Sequence, residues 1–192
     1  MPKARGRAVK FVATKLVDAF VLELERHEDE RGFFARAWGQ DEFADHGLVP
    51  DLSQCSISRN SRAGTVRGMH FQTAPHEEAK LVRCTAGAIF DVIVDLRPGS
   101  PTYTGWLGVE LEAERGNALY VPKGFAHGFQ TLVDESDVLY MISDPYVPEA
   151  ASGVRWDDPA FAIEWPHAET RTISERDRAW PDYRRSGVGQ TA

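Results

Sequence analysis

The sequence predicts an all-β protein, a sandwich or barrel carrying a few short helices. Three observations support this: short apolar segments recur about every ten residues; these segments alternate or are rich in β-branched and aromatic residues; and they close on turn residues such as Pro98-Gly99. With 192 residues, 42% hydrophobic and 27% charged, the chain can fill the core of one such domain.

The elements follow in order. Residues 1–14 read as a basic leader, with Lys3, Arg5, Arg7 and Lys10 and no acid among the first ten. Lys15 and Asp18 interrupt the apolar stretch a signal peptide would need. Residues 15–183 form a single domain, and 184–192 read as a polar tail. Within the domain, residues 20–24 alternate, and Arg31-Gly32-Phe33-Phe34 follows an acidic turn. Residues 88–96 form the strongest strand signal, and 106–111, 118–121 and 138–142 add three more. Only 40–46 and 174–179 look helical, and Ser174 with Asp177 has the form of an N-cap with an acid in the first turn.

Charge narrows the partners. Lys and Arg number 22 against 29 Asp and Glu, a formal charge of −7, which disfavours nucleic acid. A small anionic ligand can still be held by a local basic pocket. The two cysteines, Cys55 and Cys84, cannot build a disulfide framework and form no CxxC pair, so a reducing, cytoplasmic setting is expected. No apolar run approaches the roughly 20 residues that span a bilayer, so no membrane association is expected.

Three stretches hold the unusual polar residues. In the first, Val66-Arg67-Gly68-Met69-His70-Phe71-Gln72, strand alternation puts Arg67, Met69 and Phe71 on one face and Gly68, His70 and Gln72 on the other. Lys80 likewise alternates with Val82 and Cys84. In the second, a Pro122-Lys123-Gly124 turn leads to His127 between aromatics. The third is the capped short helix carrying Asp177. Each alone has an ordinary structural explanation; their combination does not.

These stretches, with Arg31-Gly32-Phe33-Phe34, residues 80–84, 91–97, 100–103 and 121–129, Tyr140 and 174–177 in that order, resemble the dTDP-4-dehydrorhamnose 3,5-epimerase family of the cupin superfamily. The similarity spans residues 15–182. It implies a cupin-type jelly roll, a homodimer, and a nucleotide-linked 4-keto-hexose as substrate. Epimerisation beside a ketone removes a proton from one face and returns one on the other. It therefore needs a base, an opposing acid and positive charge near the developing oxyanion. The resemblance implies His70 as base, Asp177 as the carboxylate holding its imidazole, and Tyr140 as the acid. Lys80 would stabilise the enolate oxygen. Arg31, Phe34, Gln54, Arg67 and His127 would bind the substrate. No metal or redox cofactor is expected, because the ketone is already the electron sink.

Metal-dependent cupins are the rival use of the fold. They present His-x-His with a nearby Glu and a later His. Here the first motif reads His70-Phe71-Gln72, and Glu77 and Glu78 fall in a loop that is expected to face solvent. The chain departs from the family pattern at Arg36, where many members carry an acid, and at Ser56, where asparagine is common. The loop at 58–64 is also a residue longer, so epimerisation at carbon 3 only, or of a different nucleotide sugar, stands as the alternative expectation. An open-edged jelly roll gains from dimerisation, and residues near Arg31 are expected to reach the neighbour's pocket.

Overall fold

A computed structural model describes residues 9–167 and 171–184. The chain runs through β1 (Lys10–Ala13), β2 (Phe20–Glu23), the hairpin strands β3 (His27–Asp29) and β4 (Gly32–Phe34), and helix α1 (Gln40–Asp45). Then come β5 (Gln54–Asn60), β6 (Val66–Gln72), β7 (Lys80–Ala86), β8 (Ala88–Asp95) and β9 (Trp106–Glu112). β10 (Ala118–Val121), β11 (Phe125–Thr131), β12 (Ser136–Ile142), β13 (Ala151–Gly153) and helix α2 (Glu175–Arg178) complete the order.

Two antiparallel sheets form a cupin-like jelly roll. One has six strands in the order β1-β2-β10-β7-β12-β5, the other five in the order β13-β6-β11-β8-β9. The core between them comes from inward positions: Val82 and Cys84 on β7, Ile89 and Ile93 on β8, Phe125 and Phe129 on β11, and Val138 on β12. Each follows the period of two that a pleated strand imposes. β8 is apolar at nearly every position because both its faces are covered. Val92 and Val94 pack on the outer side against Phe161 and Trp165 of the C-terminal segment. That segment then leads to α2. No helix among the described residues is long and apolar enough to cross a membrane.

The N-terminal boundary needs correction. Residues 10–13, assigned to the leader, form β1 and pair with β2 through Lys10 opposite Glu23 and Phe11 opposite Leu22. Phe11 meets the buried Phe43 of α1 edge-on at 5.4 Å, which anchors the strand. A strand of four residues beginning on a lysine has too little apolar alternation to stand out beside its basic neighbours. Residues 1–8 and 185–192 lie outside the described residues.

Alternation along β6 also breaks. On β11, His127 pairs with His70, yet Phe129 pairs with Arg67, so β6 has two residues, Gly68 and Met69, against Gly128 alone. This β-bulge adds a residue and inverts the facing of everything before it. Arg67 therefore joins His70 on one side, not Met69, and Val66 and Met69 pack together in the outer cluster. Two glycines make the bulge possible. Gly68 has φ +138, and a Cβ there would meet Gly128 Cα at 2.5 Å. A Cβ on Gly128 would meet Arg67 O at 2.7 Å.

Candidate active site

A cavity of about 760 Å³ opens between the two sheets at one end of the sandwich. Of the nine candidate residues, seven line it: His70, Asp177, Tyr140, Lys80, Gln54, Arg67 and His127. The five-stranded sheet brings His70 and Arg67 on β6 and His127 on β11. The six-stranded sheet brings Lys80 on β7, Tyr140 on β12 and Gln54 on β5. His70 and Tyr140 thus stand on opposing walls.

His70 Nε2 lies 2.7 Å from Asp177 Oδ1, and the other carboxylate oxygen accepts the Gly68 amide at 3.3 Å. Ser174 caps α2 by accepting the Asp177 N–H at 3.1 Å, so the expected cap exists and fixes the acid that holds the imidazole. Above the cap, Val66 N donates to Thr172 O at 2.8 Å, tying the segment to β6. Burial acts to raise the Asp177 carboxyl, but the His70 hydrogen bond and charge, the Gly68 amide and Ser174 outweigh it and hold it below the usual aspartate value. The side chain of His70 keeps 43% of its surface exposed, facing the cavity, while that of Asp177 keeps 7%. An imidazole held this way can take a proton from a molecule in the cavity.

Tyr140 is raised above the ordinary phenol value by burial and by the Asp91 charge, with Arg67 opposing. A phenolate is disfavoured there, so the group is a neutral proton donor. His127 meets the Tyr140 ring edge-on at 5.9 Å and pairs through Nε2 with Asp91 Oδ1 at 2.7 Å, both side chains buried. Burial pushes the Asp91 carboxyl up, against the pull of His127 and Lys80. Nothing in the sequence names a role for Asp91; its signal is an acid at an inward position of an apolar strand, between Ile89 and Ile93.

Lys80 Nζ pairs with Glu78 Oε1 at 2.9 Å, each side chain 9% exposed. The loop expected to face solvent thus turns Glu78 into the cavity wall. Arg67 is steadied by its Nε donating to Asn60 Oδ1 at 2.8 Å. Gln54 lies on β5 with Ser56 and Ser58, the three alternate residues of that strand that line the cavity.

Arg31 and Phe34 do not line the cavity. They project from the β3–β4 hairpin, where Arg31 pairs with Asp29 at 2.6 Å and Phe34 is 64% exposed. Where a metal-dependent cupin would want a second ligand, the Gln72 amide donates to Glu78, His76 O and Pro145 O. Among the described residues no group of three or more His, Cys, Asp or Glu is placed to hold a metal ion.

An oriented imidazole and a neutral phenol on opposing walls of a jelly-roll cavity that Lys80 and Arg67 also line fit a carbon-acid isomerase. The chain belongs to the dTDP-4-dehydrorhamnose 3,5-epimerase family, whose sequence profile matches residues 13–185. It is 43% identical over 175 residues to the dTDP-4-dehydrorhamnose 3,5-epimerase of Sinorhizobium fredii, spanning 89% of this chain and 88% of that one. Among solved structures, the Bacillus anthracis enzyme with TDP and PPi bound superposes with a TM-score of 0.88 at 41% identity, covering 92% of this chain and all of the other. The enzyme of Elizabethkingia anophelis gives a TM-score of 0.88 at 37% identity, covering 91% and 96%.

Proposed function

We propose that this protein epimerises a dTDP-linked 4-keto-6-deoxyhexose beside its ketone, converting dTDP-4-dehydro-6-deoxyglucose to dTDP-4-dehydrorhamnose for rhamnose or other deoxysugar synthesis. The observation that carries the reading is the placement of the His70–Asp177 pair and Tyr140 on opposite walls of one cavity. His70 takes the proton next to the ketone. Lys80 neutralises the charge that gathers on the enolate oxygen. Tyr140 returns a proton from the other side, which inverts the carbon. Arg67 meets the ketone or diphosphate, while His127 and Gln54 contact the sugar and nucleotide.

The reading includes a two-fold homodimer in which Arg31 and Phe34 of one hairpin enter the neighbour's cavity. It is supported by the exposure of that hairpin, where Phe33 keeps 49% and Phe34 64% of its surface in contact with solvent. The protein works in the cytoplasm, a location supported by its two cysteines both being free.

Proton NMR of dTDP-4-keto-6-deoxyglucose with the protein in heavy water tests the function. Loss of the signals at the carbons beside the ketone, together with new signals of the inverted sugar, is the expected result. A substrate spectrum unchanged after long incubation would reject the reading.

A further inference from the structure

We infer that Glu78 is a positioning residue for the epimerisation, acting through Lys80 alone. The inference rests on the proposed reaction and deepens it. Lys80 is 7% exposed, so its ammonium is held in a site where water is largely excluded. A buried cation needs an opposite charge and a fixed geometry. Glu78 supplies both, at 2.9 Å through Oε1.

Glu78 is itself held. Its Oε2 accepts from Gln72 Nε2 at 2.9 Å. Gln72 is 3% exposed and is clamped at both ends of its amide. Nε2 also donates to His76 O at 2.9 Å and Pro145 O at 3.1 Å, and Oε1 accepts the Val147 amide at 2.6 Å. A relay of fixed groups thus runs from the backbone after β12, through Gln72 and Glu78, to the Lys80 ammonium. The lysine has a flexible four-carbon stem, and this relay settles where its charge sits before substrate enters. An enolate oxygen gains most from a charge already in place.

The ion pair has a second consequence. Lys80 and Glu78 together carry no net charge, so the attraction for an anionic nucleotide sugar falls on Arg67 and on the other cavity groups. Removing the Glu78 charge therefore disturbs the chemical step while leaving binding intact or tighter. That separates positioning from a structural role, which would lower folding and both kinetic constants together.

The test is a double-mutant cycle. Glu78→Gln keeps the shape of the side chain and an acceptor for Gln72. In the wild-type background it is expected to lower kcat by on the order of tenfold, part of what loss of a charge-stabilising donor produces, with KM unchanged or lower. In a Lys80→Met background the same change is expected to leave the rate of deuterium exchange at the sugar unchanged or raised. An undiminished kcat in Glu78→Gln, or an equal loss in both backgrounds, overturns the inference. If Glu78→Gln fails to fold, Glu78→Ala, which also removes the carboxylate, is measured against the same criteria. Wild-type turnover in the same assay tests the underlying reaction, so its failure is read separately.

Discussion

His70 and Asp177 are separated by 107 positions in the chain, yet Nε2 and Oδ1 lie 2.7 Å apart. One sits in the middle of a sheet strand, the other in the first turn of a four-residue helix. The pairing exists because the segment that covers the outer face of β8 continues to the mouth of the cavity and is stitched to β6 through Thr172.

Replacing His70 with alanine should abolish hydrogen exchange at the sugar. The expected loss is on the order of 10²–10⁴-fold, typical for removing a general base. The fold should survive, because His70 faces a cavity rather than the core. Exchange measured by NMR in heavy water at a near-normal rate would remove His70 as the base.

Asp177→Asn should slow the reaction less than His70→Ala, since the imidazole remains and only its support is weakened. The stability difference should also depend on pH. The folded Asp177 carboxyl is held below its usual value, so its contribution is fully present above the unfolded value of about 4 and fades as pH falls through the folded one. Thermal melts of the two proteins should therefore differ most near neutrality and converge on acidification. A gap that stays constant down to pH 3 would show that the charge contributes nothing.

Tyr140→Phe should uncouple the two half-reactions. Proton removal by His70 should continue, so the substrate still exchanges with deuterated solvent, while little inverted sugar forms. The ring is retained, so packing changes little. Inversion at the normal rate would take Tyr140 out of the reaction and leave the His70–Asp177 pair standing.

Gly128→Ala probes the bulge. The added methyl would meet Arg67 O and Met69 Sδ at 2.7 Å each, an overpacking that costs about 1–3 kcal/mol. Turnover should fall as well, because Arg67 and His70 would lose their common facing. Gly99→Ala, where a Cβ meets nothing within 4 Å, is the control and should stay within about 0.5 kcal/mol. Equal melting temperatures for the two variants would dismiss the bulge as a constraint.

Light scattering at micromolar concentration should return twice the mass of one chain. Arg31→Ala and Phe34→Ala should then raise KM for the nucleotide sugar with little change in kcat. A single-chain mass would reject the dimer and leave the hairpin residues with no route to a cavity.

Strand identity and the capped helix were legible because each depends on neighbours in sequence. The run at β8 advertises burial on two sides, and Ser174 with Asp177 spells its own hydrogen bond. What could not be read depends on partners far away. The bulge at Gly68 is defined by Gly128 on another strand, so strict alternation put Arg67 on the wrong side of β6. Glu78 looked like loop polarity until Gln72 and Lys80 closed around it. Asp91 was visible as an odd acid, but nothing local names His127 as its partner.

The last strand among the described residues ends at Gly153, well before Asp177 in the chain. A nascent chain therefore has every described strand available before the group that aligns its imidazole has been synthesised. Until that closing turn docks, the imidazole lacks the carboxylate that aligns it, and the cavity lacks the part of its wall that Thr172, Ile173, Ser174 and Asp177 supply.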